Sequence, residues 1–291
     1  MPHKILITGA NGQLGCELRE MSTKFGNYDF VFTDVEELNI INLDQTMLFF
    51  NKIKPCVVIN CAAYTAVDKA ETDLEKAFAV NVTGAENLSK AAKEHNSYML
   101  HVSTDFVYDG TNSTPYTEEH IPHPLSEYGR TKFLGEQAVS QNHHITTIVR
   151  TSWLYSKWNS NFLKTMIRLG SEKTSLSVVF DQVGTPTAAI DLANTLLLLT
   201  QKWLNEKVDM PEILHFSNEG VTSWYDFAVT IMRLAKLDCK IHPIHTYQYP
   251  TPAKRPAYSV LDKTKIKQLL KIEIPHWAES LEKVIKEMSA N

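Results

Sequence analysis

Lys4-Ile5-Leu6-Ile7-Thr8-Gly9-Ala10-Asn11-Gly12-Gln13-Leu14-Gly15 decides the fold. Lys4–Thr8 is an apolar run that reads as a buried strand, and a helix is expected over Gly12–Phe25. Three glycines at the spacing GxxGxxG fall where that strand turns into that helix. One glycine suits the sharp turn, another lets backbone approach a pyrophosphate, and a third allows close packing of helix on strand. The N–H groups opening the helix would then face the phosphates. Gly9, Asn11, Gly12, Gln13, Leu14 and Gly15 are therefore expected at a dinucleotide site.

Outward from this motif the same rhythm repeats. Strands are expected at Phe30–Thr33, Cys56–Asn60, Tyr98–Ser103 and Thr146–Arg150. Helices are expected near Leu43–Ile53, Glu71–His95 and Ser126–Gln141. Continuous apolar strands separated by helices predict an α/β chain, with a Rossmann-type doubly wound parallel sheet covered on both faces. After Arg150 the rhythm changes. Helices are expected near Asn161–Leu169, Ile190–Trp203, Trp224–Leu237, Asp262–Leu270 and His276–Met288, and strands near Leu176–Phe180 and Ile213–Phe216. His242–Pro256 reads as irregular. The expected division is a dinucleotide-binding domain over 1–150, with about 173–214 crossing back to it. A smaller α/β substrate-binding domain would take 151–172 and about 215–291.

Bulk composition is that of an ordinary globular chain. The 291 residues are 43% hydrophobic and 21% charged, with a net charge of -4. Such a balance offers no general attraction for nucleic acid or anionic lipid, so neither partner is expected. No apolar run approaches the roughly 20 residues that span a bilayer. No signal-peptide pattern precedes Ile5, and a cytoplasmic location is expected. Cys16, Cys56, Cys61 and Cys239 form no CxxC pair and no zinc spacing; Cys56 and Cys61 read as buried thiols.

Two further features concern the site. Asp34, at the end of the second strand, can accept hydrogen bonds from ribose hydroxyls and would repel a 2′-phosphate; it could also simply cap a turn. NADH is therefore favoured over NADPH. Asn39 and Ile40 are expected on the adenine side. Ala62, Ala63 and Tyr64 are expected along the cofactor, though loop packing would explain them equally. Tyr128 and Lys132 lie four apart on one helix face, where an ammonium can stabilise a phenolate. Val102-Ser103-Thr104-Asp105 ends the fourth strand, at the edge where ligands bind in such sheets. Val102 is expected at the cofactor. Strand alternation lets only one hydroxyl of Ser103 and Thr104 face the site.

Gly9–Gly15, Ser103–Gly110 and Tyr128–Lys132 together resemble the extended short-chain dehydrogenase/reductase family. That resemblance implies a catalytic set of Thr104, Tyr128 and Lys132, with the hydroxyl on Thr104. Asn60–Glu71, Arg150–Tyr155, Asn161-Phe162, Asp181–Thr187, Ser223–Ala228 and Tyr249–Pro256 are similar to the dTDP-4-dehydrorhamnose reductases within that family. This implies reduction of the C4 keto group of dTDP-4-dehydro-6-deoxy-L-mannose by NADH or NADPH, with Tyr128 as proton donor. Thr104, Asp105 and Trp153 would then contact the sugar. Arg255 is expected on a phosphate of the dTDP-sugar, its alternative being a surface ion pair. Glu17 matches an acidic position that some relatives use for a divalent metal, but Ile190 stands where another acid would be expected. No metal site is therefore expected. The resemblance also admits a homodimer. The competing readings are a reductase or epimerase of another nucleotide sugar, and a non-catalytic NAD(P)-binding regulatory subunit similar to that of methionine adenosyltransferase.

Overall fold

A computed structural model describes residues 2–289 of the chain. In the first half, β1 (His3–Thr8), α1 (Gln13–Ser22), β2 (Tyr28–Thr33), α2 (Leu43–Ile53) and β3 (Val57–Asn60) come in order. They are followed by α3 (Val67–Ala70), α4 (Leu74–Phe78), α5 (Ala85–Glu94), β4 (Tyr98–Thr104), α6 (Glu127–Asn142) and β5 (Thr146–Thr151). The second half contains β6 (Leu154–Tyr155), α7 (Phe162–Glu172), β7 (Ser175–Val179), β8 (Val183–Gly184), β9 (Thr187–Ala188) and α8 (Ala189–Glu206). It ends with β10 (Ile213–His215), β11 (Thr222–Ser223), α9 (Trp224–Leu234), β12 (Lys240–Ile244), α10 (Thr264–Leu270) and α11 (Trp277–Ser289).

Six strands form one parallel sheet in the order β10-β5-β4-β3-β1-β2. All four residues of β3 are buried, as a strand covered on both faces requires. One face is packed by Leu14 and Leu18 of α1 and Leu192 and Leu196 of α8. The other is packed by Phe50, Leu88, Ala91 and Val139. The chain moves from β1 outward to β2, then returns to the opposite side of β1 to form β3. That reversal opens a crevice at the carboxyl ends of β1 and β3, where Thr8 pairs with Asn60. A separate core, built from Tyr155, Leu163, Phe227, Ile231 and Leu281, holds the second lobe together.

The departures from expectation have local causes. The helix expected over Glu71–His95 is interrupted after α4 by a π-helical segment, Ala79–Gly84. Within it, Asn81 is buried and accepts from the Tyr64 N–H at 2.8 Å while donating to Thr131 Oγ1 at 3.1 Å. The segment thereby ties the loop after β3 to α6. The expected strand near Leu176 does form, as β7, but it pairs with β12 and not with the main sheet. Pro243 disguised β12, because a proline is tolerated in the edge position that a two-stranded sheet provides. From the second half, β10 joins the main sheet, and α8 and Ile266 of α10 pack against it. No helix among the described residues is long and apolar enough to cross a membrane.

A buried ion pair locks α6 to the sheet. Arg150, at the end of β5, donates through Nη2 to Glu136 of α6 at 2.6 Å and through Nε at 3.0 Å. The two side chains are 2% and 3% exposed, so each charge depends on the other. Arg150 Nη1 also donates to the Tyr108 hydroxyl at 2.7 Å. His215 Nδ1 faces the Tyr116 carbonyl at 3.1 Å and must donate to it, which leaves Nε2 to accept from Tyr108 at 2.8 Å. Burial first, and Arg150 second, push His215 down to about 3, so the ring stays neutral. Glu136→Gln would leave the guanidinium buried with no counter-charge. It should cost about 3–5 kcal/mol, read as a lower urea midpoint, and an unchanged midpoint would contradict the pairing.

Candidate active site

The glycine turn is built as its spacing predicts. Gly9 has φ +66°, and a Cβ there would lie 2.6 Å from the Ala62 nitrogen. A Cβ at Gly15 would collide with the Gly9 carbonyl and the Ala10 backbone. Loop, helix and β3 are thus in backbone contact. No side chain caps α1, so its opening N–H groups are left for an anion.

From this turn a cavity of about 390 Å³ extends between β1 and β2. It is lined by Gly9, Asn11, Gly12, Asp34, Asn39, Ile40, Ala62 and Ala63, among others. Asp34 Oδ2 accepts from the Asn11 N–H at 3.0 Å, and Oδ1 from the Val35 N–H at 2.8 Å. The carboxylate therefore braces the turn and also faces the cavity. No lysine or arginine lines this cavity among the described residues. Tyr64 packs against the cluster that holds Tyr128; its hydroxyl donates to Asp73 at 3.1 Å and its backbone pairs with Asn81. It is absent from the lining of this cavity and of the next.

The second cavity, of about 550 Å³, brings together Gly12, Gln13, Leu14, Gly15, Val102, Ser103, Thr104, Asp105, Tyr128, Lys132, Trp153 and Arg255. Tyr128 and Lys132 lie on the buried face of α6, whose first turn is held by Ser126 and by Glu71, which accepts the Glu127 N–H at 2.9 Å. Both strand-end residues line the cavity. Thr104 donates to Asp105 Oδ1 at 3.0 Å and stands beside the Tyr128 phenol. Ser103 Oγ is buried without a partner. Burial, with a smaller push from Asp105, raises the phenol to about 12 against the lowering effect of Thr104. Lys132 is brought down to about 8 by burial and donates to the Val102 carbonyl at 2.7 Å.

The second lobe supplies the opposite wall. Trp153 adopts φ +48° and stacks on Trp224, with ring centroids 3.6 Å apart and planes 8° from parallel. Gly184 makes room for this indole: a Cβ there would sit 2.6 Å from it. Trp224 and Phe162 were not expected at the site by themselves, although both lie in stretches that carry the family resemblance. Together with Arg255 they also line a third cavity, of about 570 Å³, formed by Met166, Leu169, Val178 and Tyr249. The two cavities therefore adjoin at these three side chains. Arg255 does form an ion pair, Nη2 to Asp68 Oδ2 at 2.9 Å and Nη1 to Oδ1 at 3.1 Å.

Glu17 is buried on α1, and its Oε2 has no partner. Burial raises its carboxyl to about 7, against the lowering effect of Lys157. Among the described residues, no group of three His, Cys, Asp or Glu side chains is placed to hold a metal ion.

The sequence pattern of the RmlD substrate binding domain matches residues 3–290. A dTDP-4-dehydrorhamnose reductase of Aggregatibacter actinomycetemcomitans is 41% identical over 97% of this chain and 98% of its own length. The crystal structure of such a reductase from Clostridium acetobutylicum is 44% identical and superposes with a TM-score of 0.92, over 98% of this chain and 99% of that one. The Bacillus anthracis reductase, solved in complex with NADP, is 38% identical with a TM-score of 0.93, over 99% and 100% of the two chains.

The Glu17 carboxyl makes stability depend on pH. Its folded value of about 7 lies above the ordinary 4.5, so folding favours the protonated form and loses stability as pH rises between the two. Glu17→Gln removes that loss. The variant's gain in urea midpoint over the parent should be larger at about pH 8 than at about pH 5; an equal gain at both would contradict the assignment.

Proposed function

The chain belongs to the RmlD substrate-binding-domain family of short-chain dehydrogenase-type reductases, and we propose that it reduces the C4 keto group of dTDP-4-dehydro-6-deoxy-L-mannose to dTDP-L-rhamnose. The observation that carries this is the buried Tyr128 beside Thr104, in the cavity that Lys132 and the glycine turn also line. Reduction of a ketone needs one proton donor at the carbonyl oxygen, and a phenol raised to about 12 holds its proton at neutral pH.

The uncapped start of α1 and the close backbone packing at Gly9 and Gly15 fit a dinucleotide pyrophosphate. Gly9, Asn11, Gly12, Gln13, Leu14 and Gly15 would hold it, with Asp34, Asn39, Ile40, Ala62 and Ala63 on the adenosine side. Bound NAD(P)H supplies the hydride for the carbonyl carbon. Tyr128 gives its proton to the oxygen, because an alkoxide is a stronger base than a phenolate. Thr104 reaches the same oxygen by turning its hydroxyl hydrogen away from Asp105. Lys132 spends one of its three donors on Val102 and keeps two for the nicotinamide ribose. Asp105 is on hand for a sugar hydroxyl, and the Trp153 indole forms an apolar wall for the ring. The nucleotide occupies the third cavity, which places its phosphates near Arg255.

NADH is the preferred reductant on this reading. A 2′-phosphate would meet the Asp34 carboxylate in a cavity without a cation. Asp34→Asn removes the repulsion and keeps an acceptor for the turn. The NADPH-to-NADH affinity ratio should rise about tenfold in fluorescence titration, and an unchanged ratio would remove Asp34 from the discrimination.

Activity is read from loss of nicotinamide absorbance when the protein, NADH and dTDP-4-keto-6-deoxy-L-mannose are mixed. No oxidation with this sugar, alongside turnover of another nucleotide sugar, would reject the substrate. Tyr128→Phe should bind NADH as the parent does and lose about 10²–10⁴-fold in turnover. Full activity in that variant would reject the proton donor.

A further inference from the structure

Asp68 and Arg255 are 187 residues apart in sequence, yet their side chains form a fork on a carboxylate. Asp68 lies on α3, in the cofactor lobe, and Arg255 in the loop between β12 and α10. The contact is reinforced on both sides. Arg255 Nη1 also donates to Thr251 Oγ1 at 2.6 Å and to the Ala253 carbonyl at 3.2 Å, while Asp68 Oδ1 accepts the Ala253 N–H at 3.3 Å. The guanidinium is thus held by three groups before any ligand arrives.

Stability is a poor explanation for so elaborate a grip. The side chains of Arg255 and Asp68 remain 27% and 40% exposed, and exposed ion pairs typically contribute about 0–1 kcal/mol. The geometry of a guanidinium suggests another use. Its five N–H donors are arranged as an end-on fork, from Nη1 and Nη2, and a side-on fork, from Nε and the other hydrogen of Nη2. Asp68 occupies the end-on fork. The side-on fork has no partner among the described residues, and Arg255 lines both the catalytic cavity and the cavity of the second lobe. With the sugar at Tyr128 and the nucleoside in the cavity of the second lobe, as proposed above, the two phosphates would lie where the cavities adjoin.

We propose that Asp68 is a positioning residue for the substrate diphosphate: it grips one fork of Arg255 so that the second fork stands preset at the junction of the two cavities. This presupposes the nucleotide-sugar substrate proposed above. Asp68 does not touch the ligand itself. Its contribution is to remove, before binding, the rotamer freedom that a long arginine side chain would otherwise lose on meeting phosphate. A planar fork matches two phosphate oxygens at once, which an untethered side chain does less often.

The test compares dTDP with thymidine, which lacks the phosphates, in calorimetric titrations of the full chain. Asp68→Asn keeps the shape but turns an amide N–H toward the guanidinium in place of a carboxylate oxygen. The variant should bind dTDP about tenfold or more weakly, and bind thymidine and NADH within about twofold of the parent. With the keto sugar, KM should rise by the same factor while kcat is kept. Equal or tighter dTDP binding in the variant overturns the proposal, since Asp68 would then be idle or a competitor for Arg255. Matching losses for thymidine and dTDP overturn it too, because the effect would be a general disturbance of the lobe. Failure of the parent protein to bind dTDP would reject the nucleotide-sugar substrate itself, and the positioning role with it.

Discussion

The site depends on how α6 is fixed to the sheet, and the Glu136–Arg150 pair is the interaction that fixes it. Tyr128, Lys132 and Glu136 recur every four residues and share the buried face of this helix. The ion pair anchors the third of them to the end of β5, which orients the other two toward the cavity. Two glycines allow the approach: a Cβ at Gly129 would strike the Phe106 carbonyl, and one at Gly135 the Asn81 carbonyl. Asn81 in turn holds the loop that follows β3. Cofactor turn, strand ends and catalytic helix therefore form one rigid frame, linked by backbone contacts and buried polar pairs.

Burial within that frame sets the chemistry. It raises the Tyr128 phenol to about 12 and lowers the Lys132 ammonium to about 8, both shifts disfavouring charge. A phenol so placed gives up a proton only to a stronger base, such as the alkoxide that forms when a ketone takes a hydride. The ammonium retains charge below its lowered value and keeps donors to spare. The second lobe adds the selective surfaces: stacked indoles on one side and a tethered guanidinium where two cavities meet.

Much of this was legible in the sequence because it rests on local pattern. The strands β1 and β3 announce themselves as continuous apolar runs, and the glycine spacing states where backbone must approach backbone. The choice between Thr104 and Ser103 is less legible, since both residues line the cavity and what distinguishes Thr104 is its place beside the phenol. What stayed hidden is non-local. The partner of Asp68 lies 187 residues away, and nothing in either segment names the other. The π-helical turn at Ala79–Gly84 arises from Asn81 reaching Tyr64 and Thr131, a demand that helical periodicity does not record.

On the proposed reading, this frame reduces a keto sugar directly at C4. Isotope transfer tests it most directly: the protein is given dTDP-4-keto-6-deoxy-L-mannose with NADH deuterated on one or the other face of nicotinamide C4, and the product is examined by NMR. One deuterated form should deliver a single deuterium to sugar C4 and the other none, with the hydroxyl proton coming from solvent. Product without deuterium from either form, or deuterium at another carbon, would contradict the account.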